Sequence, residues 1–334
     1  MNHDAAIRID SIRKSYGENH AVRDLSLEVP RGSLCGFLGP NGAGKSTTIR
    51  MIMSIMYPDR GTINVLGGTA LESKDRIGYL PEERGVYRKM RVVEFVRYIA
   101  RLKGADRRGF DRVIEDWLDR IELPGVAKKR CEELSKGMQQ KVQFLAAIIN
   151  APELIILDEP FSGLDPVNAE VIHGIVQDLH DDGRTIIFST HILQQAERLC
   201  DRIVLINRGQ KLLDESMPSI RARFSPRELQ LEPEKPEDAA LVTESLAPRD
   251  DVVAVRPAGE SVIAELAEGA DPRVTMQVLL AELPLRGVSL RRVSLEEVFI
   301  NLVSAGDGRA AAEVARRQLA GMDEAEAELA SSTN

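Results

Sequence analysis

The residue types best suited to holding a polyphosphate stand together in one stretch, Gly39-Pro40-Asn41-Gly42-Ala43-Gly44-Lys45-Ser46-Thr47. Its outer glycines, separated by four residues and followed by lysine and serine, match the pattern of a phosphate-binding loop. Glycine lets the backbone approach phosphates closely, Lys45 would reach the β- and γ-phosphates, and the Ser46 hydroxyl would ligate Mg²⁺. The stretch predicts that this chain binds a nucleoside triphosphate.

The segments that flank the loop agree with this chemistry. Residues 33–38 form a short apolar run typical of a buried strand, and residues 48–53 begin a helical pattern. In that arrangement, backbone N–H groups and the positive end of a helix dipole point at the polyphosphate. The alternative, a glycine-rich turn that matches by chance, gives no reason for these neighbours.

Polar side chains follow two further apolar runs. The aliphatic residues 154–157 are typical of a central parallel strand, and they lead directly into Asp158 and Glu159. Parallel strands end at the ligand crevice, so these carboxylates are expected beside the triphosphate, where they indicate Mg²⁺ binding and water positioning. The alternative is an acidic pair that is merely solvated at a strand end. Residues 185–190 similarly lead into His191, which taken alone would be read as structural.

Composition favours a globular protein of the cytosol. The chain has 334 residues, of which 43% are hydrophobic and 29% charged, enough for one large or several smaller domains. A formal charge of −8 argues against a nucleic-acid partner, and the dispersed cysteines and histidines show no metal-ligand spacing. No apolar stretch approaches membrane-spanning length, and no export signal is recognisable, so a cytoplasmic location is expected.

Hydrophobic periodicity predicts the elements that position the candidate residues. Residues 5–32 indicate two facing strands, and residues 88–150 change to a helical period. Residues 226–304 follow the order βαββαβ, which is that of a ferredoxin-like domain. Residues 305–334, rich in Ala, Glu and Arg, predict an exposed helix or a frayed tail.

Together these segments resemble the ATP-binding subunit of an ABC transporter over roughly residues 5–220. The resemblance implies an α/β fold, a P-loop NTPase core with an antiparallel β subdomain and a helical subdomain at about residues 88–150. A small α+β accessory domain at residues 226–304 and a charged tail at residues 305–334 would follow. The end of that domain, residues 294–299, looks like the tail of drug-, sodium- and antibiotic-efflux ATPases of the ABC-2 type, which implies export.

The same resemblance implies roles for single residues. Tyr16 matches the aromatic residue that stacks on adenine, and residues 39–47 match the phosphate loop. Asp158 matches the carboxylate that holds Mg²⁺ through water, and Glu159 matches the one that polarises the attacking water. His191 matches the histidine that senses the γ-phosphate.

Further matches imply a dimer. Ser135 and Gly137 stand in the family signature, which lies at a helix N-terminus and contacts the γ-phosphate held by the opposite subunit. Asp165 stands in the loop that crosses the dimer seam. One subunit offers Lys45 and Ser46 but no obvious donors for the far side of the γ-phosphate, so a second copy is expected to supply them. ATP would then join the copies, and hydrolysis would release them.

Two departures from the family pattern bear on this site. Lys136 and Met138 stand where the signature usually has glycine and glutamine, although the serine and glycine that would touch phosphate are kept. Glu82 stands where the family usually has a glutamine that contacts Mg²⁺. A carboxylate still ligates the ion, but it only accepts hydrogen bonds where an amide also donates. Glu82 is therefore predicted as an Mg²⁺ ligand together with Ser46 and Asp158.

The leading hypothesis is an ATPase subunit that powers a separate integral membrane permease, two copies per complex, on the inner face of the cell membrane. The alternative is a soluble ATPase of the same superfamily that acts on ribosomes or DNA. Translation-type relatives carry two ATP modules, whereas this sequence has one phosphate loop. Chromosome-type relatives have a very long coiled coil between the phosphate loop and the signature, and the stretch between Gly44 and Gly137 is too short to contain one. A sensor without turnover is disfavoured because Glu159 and His191 are both present. Substrate choice is expected to lie in the permease.

Overall fold

The computed structural model describes residues 5–83, 85–105, 109–224 and 227–305. The chain divides into two compact units, which are considered separately. The first comprises the described residues up to Met217 together with those from Phe299 on, and the second runs from Pro218 to Val298. The predicted tail at residues 305–334 lies, beyond its first residue, outside the described residues.

The first unit contains the helices and strands that surround the candidate residues. In chain order these are β1 (Ala5–Tyr16), β2 (Asn19–Pro30), β3 (Leu34–Leu38), α1 (Lys45–Ile52), β4 (Arg60–Val65), β5 (Ile77–Leu80), α2 (Val92–Leu102), α3 (Phe110–Arg120), the 3₁₀ turn Cys131–Glu133, α4 (Lys136–Ile148), β6 (Leu154–Asp158), α5 (Pro166–Asp181), β7 (Thr185–Thr190), α6 (Leu193–Leu199), β8 (Arg202–Asn207) and β9 (Gln210–Ser216). Helix α7 (Met217–Phe224) spans the division between the units.

Two sheets share the core of this unit. Strands β1 and β2 form the predicted antiparallel hairpin, and β4 joins the other edge of β1. Buried aliphatic residues alternate along this hairpin, for example Ile7 and Ile9 on β1 and Leu25 and Leu27 on β2, so one face of the sheet is apolar. That face, helix α1 and the central sheet together enclose one hydrophobic core.

The central sheet has the strand order β5-β6-β7-β3-β8-β9 and is parallel except for the β8–β9 pair. Strands β3, β6 and β7 are buried along their whole length, which explains why their sequences are almost continuously apolar. These three strands are adjacent and parallel, so their carboxyl ends lie at one edge of the sheet. The phosphate loop, the acidic pair and His191 all follow directly from that edge.

The helical part of the unit is built on α2, α3 and α4, which pack on one another. Their buried residues recur at helical spacing, as Phe95 and Val96 on α2 and Ile114 and Leu118 on α3 show. Helix α4 begins at Lys136, where the side chain of Ser135 caps its first turn.

The second unit is a four-stranded antiparallel sheet covered by two helices. Its elements are β10 (Glu228–Pro233), α8 (Asp238–Leu246), β11 (Val252–Ala258), β12 (Ser261–Leu266), α9 (Pro272–Glu282) and β13 (Leu285–Leu290). Residues 295–305 are also helical, and this helix spans the division between the units. The strand order β11-β12-β10-β13 confirms the predicted βαββαβ arrangement. Among the described residues, none of the helices is both long and apolar enough to cross a bilayer.

Candidate functional site

The phosphate loop connects the end of β3 to the start of α1 in a conformation that requires glycine. Its glycines have positive φ angles, 154° at Gly39, 76° at Gly42 and 104° at Gly44. A Cβ atom at Gly39 would lie 2.1 Å from the carbonyl oxygen of Ile206, and one at Gly44 would lie 2.5 Å from that of Ala21. The outer glycines are therefore needed both for the turn and for contact with neighbouring strands.

The Lys45 side chain folds back onto this loop. Its Nζ donates to the carbonyl oxygen of Gly39 at 2.7 Å and to that of Pro40 at 3.3 Å. Asn41 is exposed at the tip of the loop, while Ser46 is half-buried. Phosphate oxygens are charged acceptors and would form stronger bonds with the ammonium group than these carbonyls do.

Three carboxylates surround Lys45 and its neighbour Ser46. Burial has the largest effect on the pKa of Lys45 and lowers it, while the negative charges of Glu159, Asp158 and Glu82 oppose that change. The Ser46 hydroxyl donates to Glu82 Oε2 at 3.4 Å. The fold thus brings together five of the predicted residues from three separate segments. Thr47, also predicted, is half-buried beside them at the start of α1.

Asp158 is almost fully buried at the end of β6 and is held by a residue that the sequence interpretation missed. Ser189 lies opposite it on β7, and the Ser189 hydroxyl donates to Asp158 Oδ1 at 2.5 Å. Burial raises the pKa of Asp158, and this hydrogen bond opposes the rise because it stabilises the carboxylate. A serine at the end of the apolar run 186–188 was the available signal, since a buried hydroxyl needs a partner.

We expect Ser189→Ala to lower ATPase activity at neutral pH by about tenfold, the value of one hydrogen bond to a charged group. Without the bond the pKa of Asp158 rises, so the acid limb of the pH–rate profile should move to higher pH. Ser33→Ala is the control, because it removes another buried serine hydroxyl, bonded to the Pro30 carbonyl, at the opposite end of β3. An unshifted acid limb would contradict the role of Ser189.

Glu159 is oriented by both its backbone and its side-chain partners. Its φ angle of 49° is unusual for a non-glycine residue, and its N–H donates to the carbonyl oxygen of Ser189 at 3.1 Å. Its Oε1 lies 2.8 Å from His191 Nδ1, and its Oε2 accepts from the Thr190 hydroxyl at 3.3 Å. The carboxylate is therefore held between two donors if the imidazole carries its proton on Nδ1. Such a pair suits a general base with an orienting partner.

The signature residues lie against another loop of their own chain. The Ser135 hydroxyl accepts from the N–H of Met138 at 3.3 Å, which leaves its hydrogen to donate elsewhere. A Cβ atom at Gly137 would lie 3.4 Å from a methyl carbon of Leu164 and 3.6 Å from the carbonyl oxygen of Gly163. The contact of this helix start with a phosphate held by a second copy remains a prediction.

Asp165 and Tyr16 occupy the remaining predicted positions. Asp165 caps α5, where its carboxylate accepts from the N–H of Asn168 at 2.9 Å. Tyr16 ends β1 with 49% of its surface exposed, and its hydroxyl lies 3.2 Å from the Met56 sulfur. The stacking of this half-exposed ring on adenine remains a prediction.

The donor atoms at this site suit Mg²⁺. They are the hydroxyl of Ser46 and the carboxylates of Glu82 and Asp158, all hard oxygen ligands. Across the described ranges, no group of three or more His, Cys, Asp or Glu side chains is arranged to hold a metal by itself. Mg²⁺ in proteins generally keeps several waters and takes further oxygens from nucleotide phosphates.

A family model, two relatives in sequence and a solved structure that match this chain all belong to the same class of protein. A family model described as ABC transporter matches residues 22–162. An uncharacterized ABC transporter ATP-binding protein of Bacillus subtilis, YhaQ, is 35% identical over 300 residues, which cover 90% of this chain and 99% of that protein. The Nod factor export ATP-binding protein I of Sinorhizobium fredii is 38% identical over 63% of each chain. The bacterial ABC transporter cassette MJ0796, solved as a dimer, aligns with a TM-score of 0.59 and 25% identity over 63% of this chain and 98% of its own.

Proposed function

This chain belongs to the family of ABC transporter ATP-binding proteins, and from that premise we propose that it hydrolyses Mg²⁺–ATP to drive export through a separate permease. Its ATP-binding and ATPase character follow from membership of that family, whose cassettes are dimeric and work with membrane permeases. The soluble alternative, action on ribosomes or DNA, is not favoured. The direction of transport is supported by similarity to a protein named for export.

The observation that carries the proposal is the convergence of Lys45, Ser46, Glu82, Asp158 and Glu159 at the carboxyl edge of one parallel sheet. Lys45 and the loop N–H groups would bind the phosphates, which replaces the bonds of Lys45 to the loop carbonyls. Ser46, Glu82 and Asp158 would hold Mg²⁺, which neutralises charge on the phosphates when it is bound. The same residues together have no simple structural explanation, because burial and, to a smaller extent, the nearby charges of Glu82 and Glu159 raise the pKa of Asp158.

Glu159 and His191 would perform the hydrolytic step. Glu159 accepts a hydrogen bond from the attacking water and so orients it in line with the γ-phosphate. His191 holds the carboxylate at 2.8 Å, and movement of the imidazole towards a γ-phosphate would release one carboxylate oxygen for water. Their depth within the site, with side chains 10% and 16% exposed, limits access of bulk water when nucleotide is absent.

We propose that two copies close on ATP in a head-to-tail arrangement. The free hydroxyl hydrogen of Ser135 and the N-terminus of α4 would face the γ-phosphate bound by the second copy. Asp165, which begins α5 beside the signature, would lie at the seam. Because ATP contacts both copies only when they are closed, its binding favours the closed dimer and its hydrolysis the open one.

A surface of exposed aromatic residues suits the permease. Tyr87 lies 50% exposed between the Glu82 segment and α2, and its ring packs edge-on against Phe95 and Tyr98, with centroids 5.9 and 5.6 Å apart. Leu102 on the same helix is 57% exposed. Clustered exposed aromatic and aliphatic residues mark protein interfaces, and this patch is close in sequence to a predicted Mg²⁺ ligand. It would transmit the state of the nucleotide site to a membrane partner.

The direct test of this function is to solubilise membranes in mild detergent, purify a tagged copy of the chain and identify its partners. A polytopic membrane protein in stoichiometric amount is expected, which would also give the cell membrane's inner face as the location. Recovery only with ribosomal proteins or DNA factors would reject the transporter proposal and leave the ATPase chemistry intact.

In the same purification, the double variant Tyr87→Ser, Tyr98→Ser should lose most of the permease, about tenfold or more, because two aromatic contacts are removed from the interface. ATP binding by the isolated variant should be unchanged. Tyr57→Ser serves as the control, since Tyr57 is 66% exposed but lies in the turn before β4. Equal loss of permease in both variants would show that the patch has no specific role.

A further inference from the structure

Helix α4 has polar side chains at buried positions, where apolar residues are more usual. Gln140 and Gln143 are 2% and 5% exposed, and both lie on a helix that packs against α2 and β5. A buried primary amide is unfavourable unless its N–H and C=O groups have hydrogen-bond partners. The partners of these amides therefore indicate why glutamine stands at each position.

Gln143 holds the backbone of the segment that follows Glu82. Its Nε2 donates to the carbonyl oxygen of Glu83 at 3.2 Å, and its Oε1 accepts from the N–H of Gly85 at 3.1 Å. Both the nitrogen and the oxygen of the amide therefore bond to the backbone of one short segment. That segment begins with the carboxylate that accepts from Ser46. Gln143 thus restricts the positions available to Glu82.

Gln140 makes a similar contact on the other side of the site. Its Nε2 donates to the carbonyl oxygen of Pro160 at 3.2 Å, directly after Glu159. One helix is therefore bonded to both segments that carry site carboxylates. The same helix is capped by Ser135, about 12 Å from Gln143 along its axis at the usual helical rise. A rigid helix transmits displacement of its N-terminus to these amides.

We propose that Gln143 is a positioning residue that sets the Mg²⁺ affinity of the nucleotide site by holding Glu82, and so couples Mg²⁺ binding to the position of the signature helix. The proposal rests on the Mg²⁺–ATP site proposed above. Without the amide clamp, the segment after Glu82 gains conformational freedom that Mg²⁺ binding must then remove. The effect acts through Glu82, so it should vanish when that carboxylate is absent.

The test is a Mg²⁺ titration of the binding of trinitrophenyl-ATP, a fluorescent analogue, to the full chain. We expect Gln143→Met to raise the Mg²⁺ concentration at half-saturation about tenfold, the factor that ordering about one residue implies. Binding in EDTA should be unchanged. The double variant Glu82→Ala, Gln143→Met should match Glu82→Ala alone, because residues acting through one another are not additive.

A purely structural role for Gln143 would lower thermal stability and leave the Mg²⁺ dependence as in the wild type, and this result would overturn the proposal. If the effects of Gln143→Met and Glu82→Ala on the Mg²⁺ half-saturation were fully additive, that result would overturn the proposal as well. Failure of the wild-type chain to bind the analogue at all would instead reject the nucleotide site. If Gln143→Met does not fold, Gln143→Glu keeps the acceptor for Gly85 and replaces the donor to Glu83 with a charged carboxylate oxygen that cannot donate, and a raised half-saturation is again expected.

Gln177→Met is the control for substitution of a helical glutamine. Gln177 lies on α5, and its amide donates to the exposed Asp181 carboxylate at 3.0 Å, away from the segment after Glu82. Its Mg²⁺ titration should coincide with that of the wild type. A shift equal to that of Gln143→Met would show that the effect is not specific to the clamp.

Discussion

Glu159→Gln is expected to reduce ATP turnover by about a thousandfold, within the usual contribution of a general base. The amide has nearly the same volume as the carboxylate. Its one oxygen still accepts from His191, and its NH2 group can donate to the Thr190 hydroxyl oxygen, so the site should keep its shape. It is neutral, however, and a poor acceptor for a proton from the attacking water. Bound ATP should therefore persist, and a stable ATP-dependent dimer should accumulate.

The measurement is phosphate release together with light scattering of the same sample with and without Mg²⁺–ATP. Glu153→Gln is the matched control, because Glu153 pairs with Arg76 at the opposite end of β6 and is remote from the phosphate loop. That variant should retain turnover and show no trapped dimer. Brisk hydrolysis by Glu159→Gln would remove Glu159 from its assigned role.

Lys45→Ala is expected to weaken ATP binding by about a hundredfold, since at least two charge-assisted hydrogen bonds to phosphate are lost. The side chain now bonds only to carbonyls of its own loop, so the loop should retain its fold without it. Titration calorimetry with ATP and Mg²⁺ measures the change. Burial already disfavours the charge on Lys45, and the nearby carboxylates help to retain it.

Lys103→Met is the control for loss of a partly buried ammonium group. Lys103 also donates to a backbone carbonyl, that of Ile77, and burial also lowers its pKa, but it follows the end of α2 and its partner is the first residue of β5. The ATP affinity of the Lys103→Met variant should equal that of the wild type. Unchanged affinity in Lys45→Ala would count against the phosphate-loop assignment.

The sequence by itself determined the elements of this protein whose signal is local. The loop at residues 39–47 is defined by the spacing of its glycines, lysine and serine, since only glycine tolerates the φ angles found there. The aliphatic run before Asp158 identified a central strand, because a strand buried on both faces has a nearly continuous apolar sequence instead of alternating apolar and polar residues. The βαββαβ order of the second unit followed in the same way from alternating periods.

Only the tertiary structure decided which distant residues meet. Ser189 bonds Asp158 because β7 lies beside β6, and sheet order depends on the path of the crossover connections rather than on either strand. Gln143 reaches the segment after Glu82 because α4 packs on β5, although the helices α2 and α3 separate them in sequence. Hydrogen bonds between segments that are distant in sequence do not produce a hydrophobic periodicity, so composition and residue pattern do not predict them.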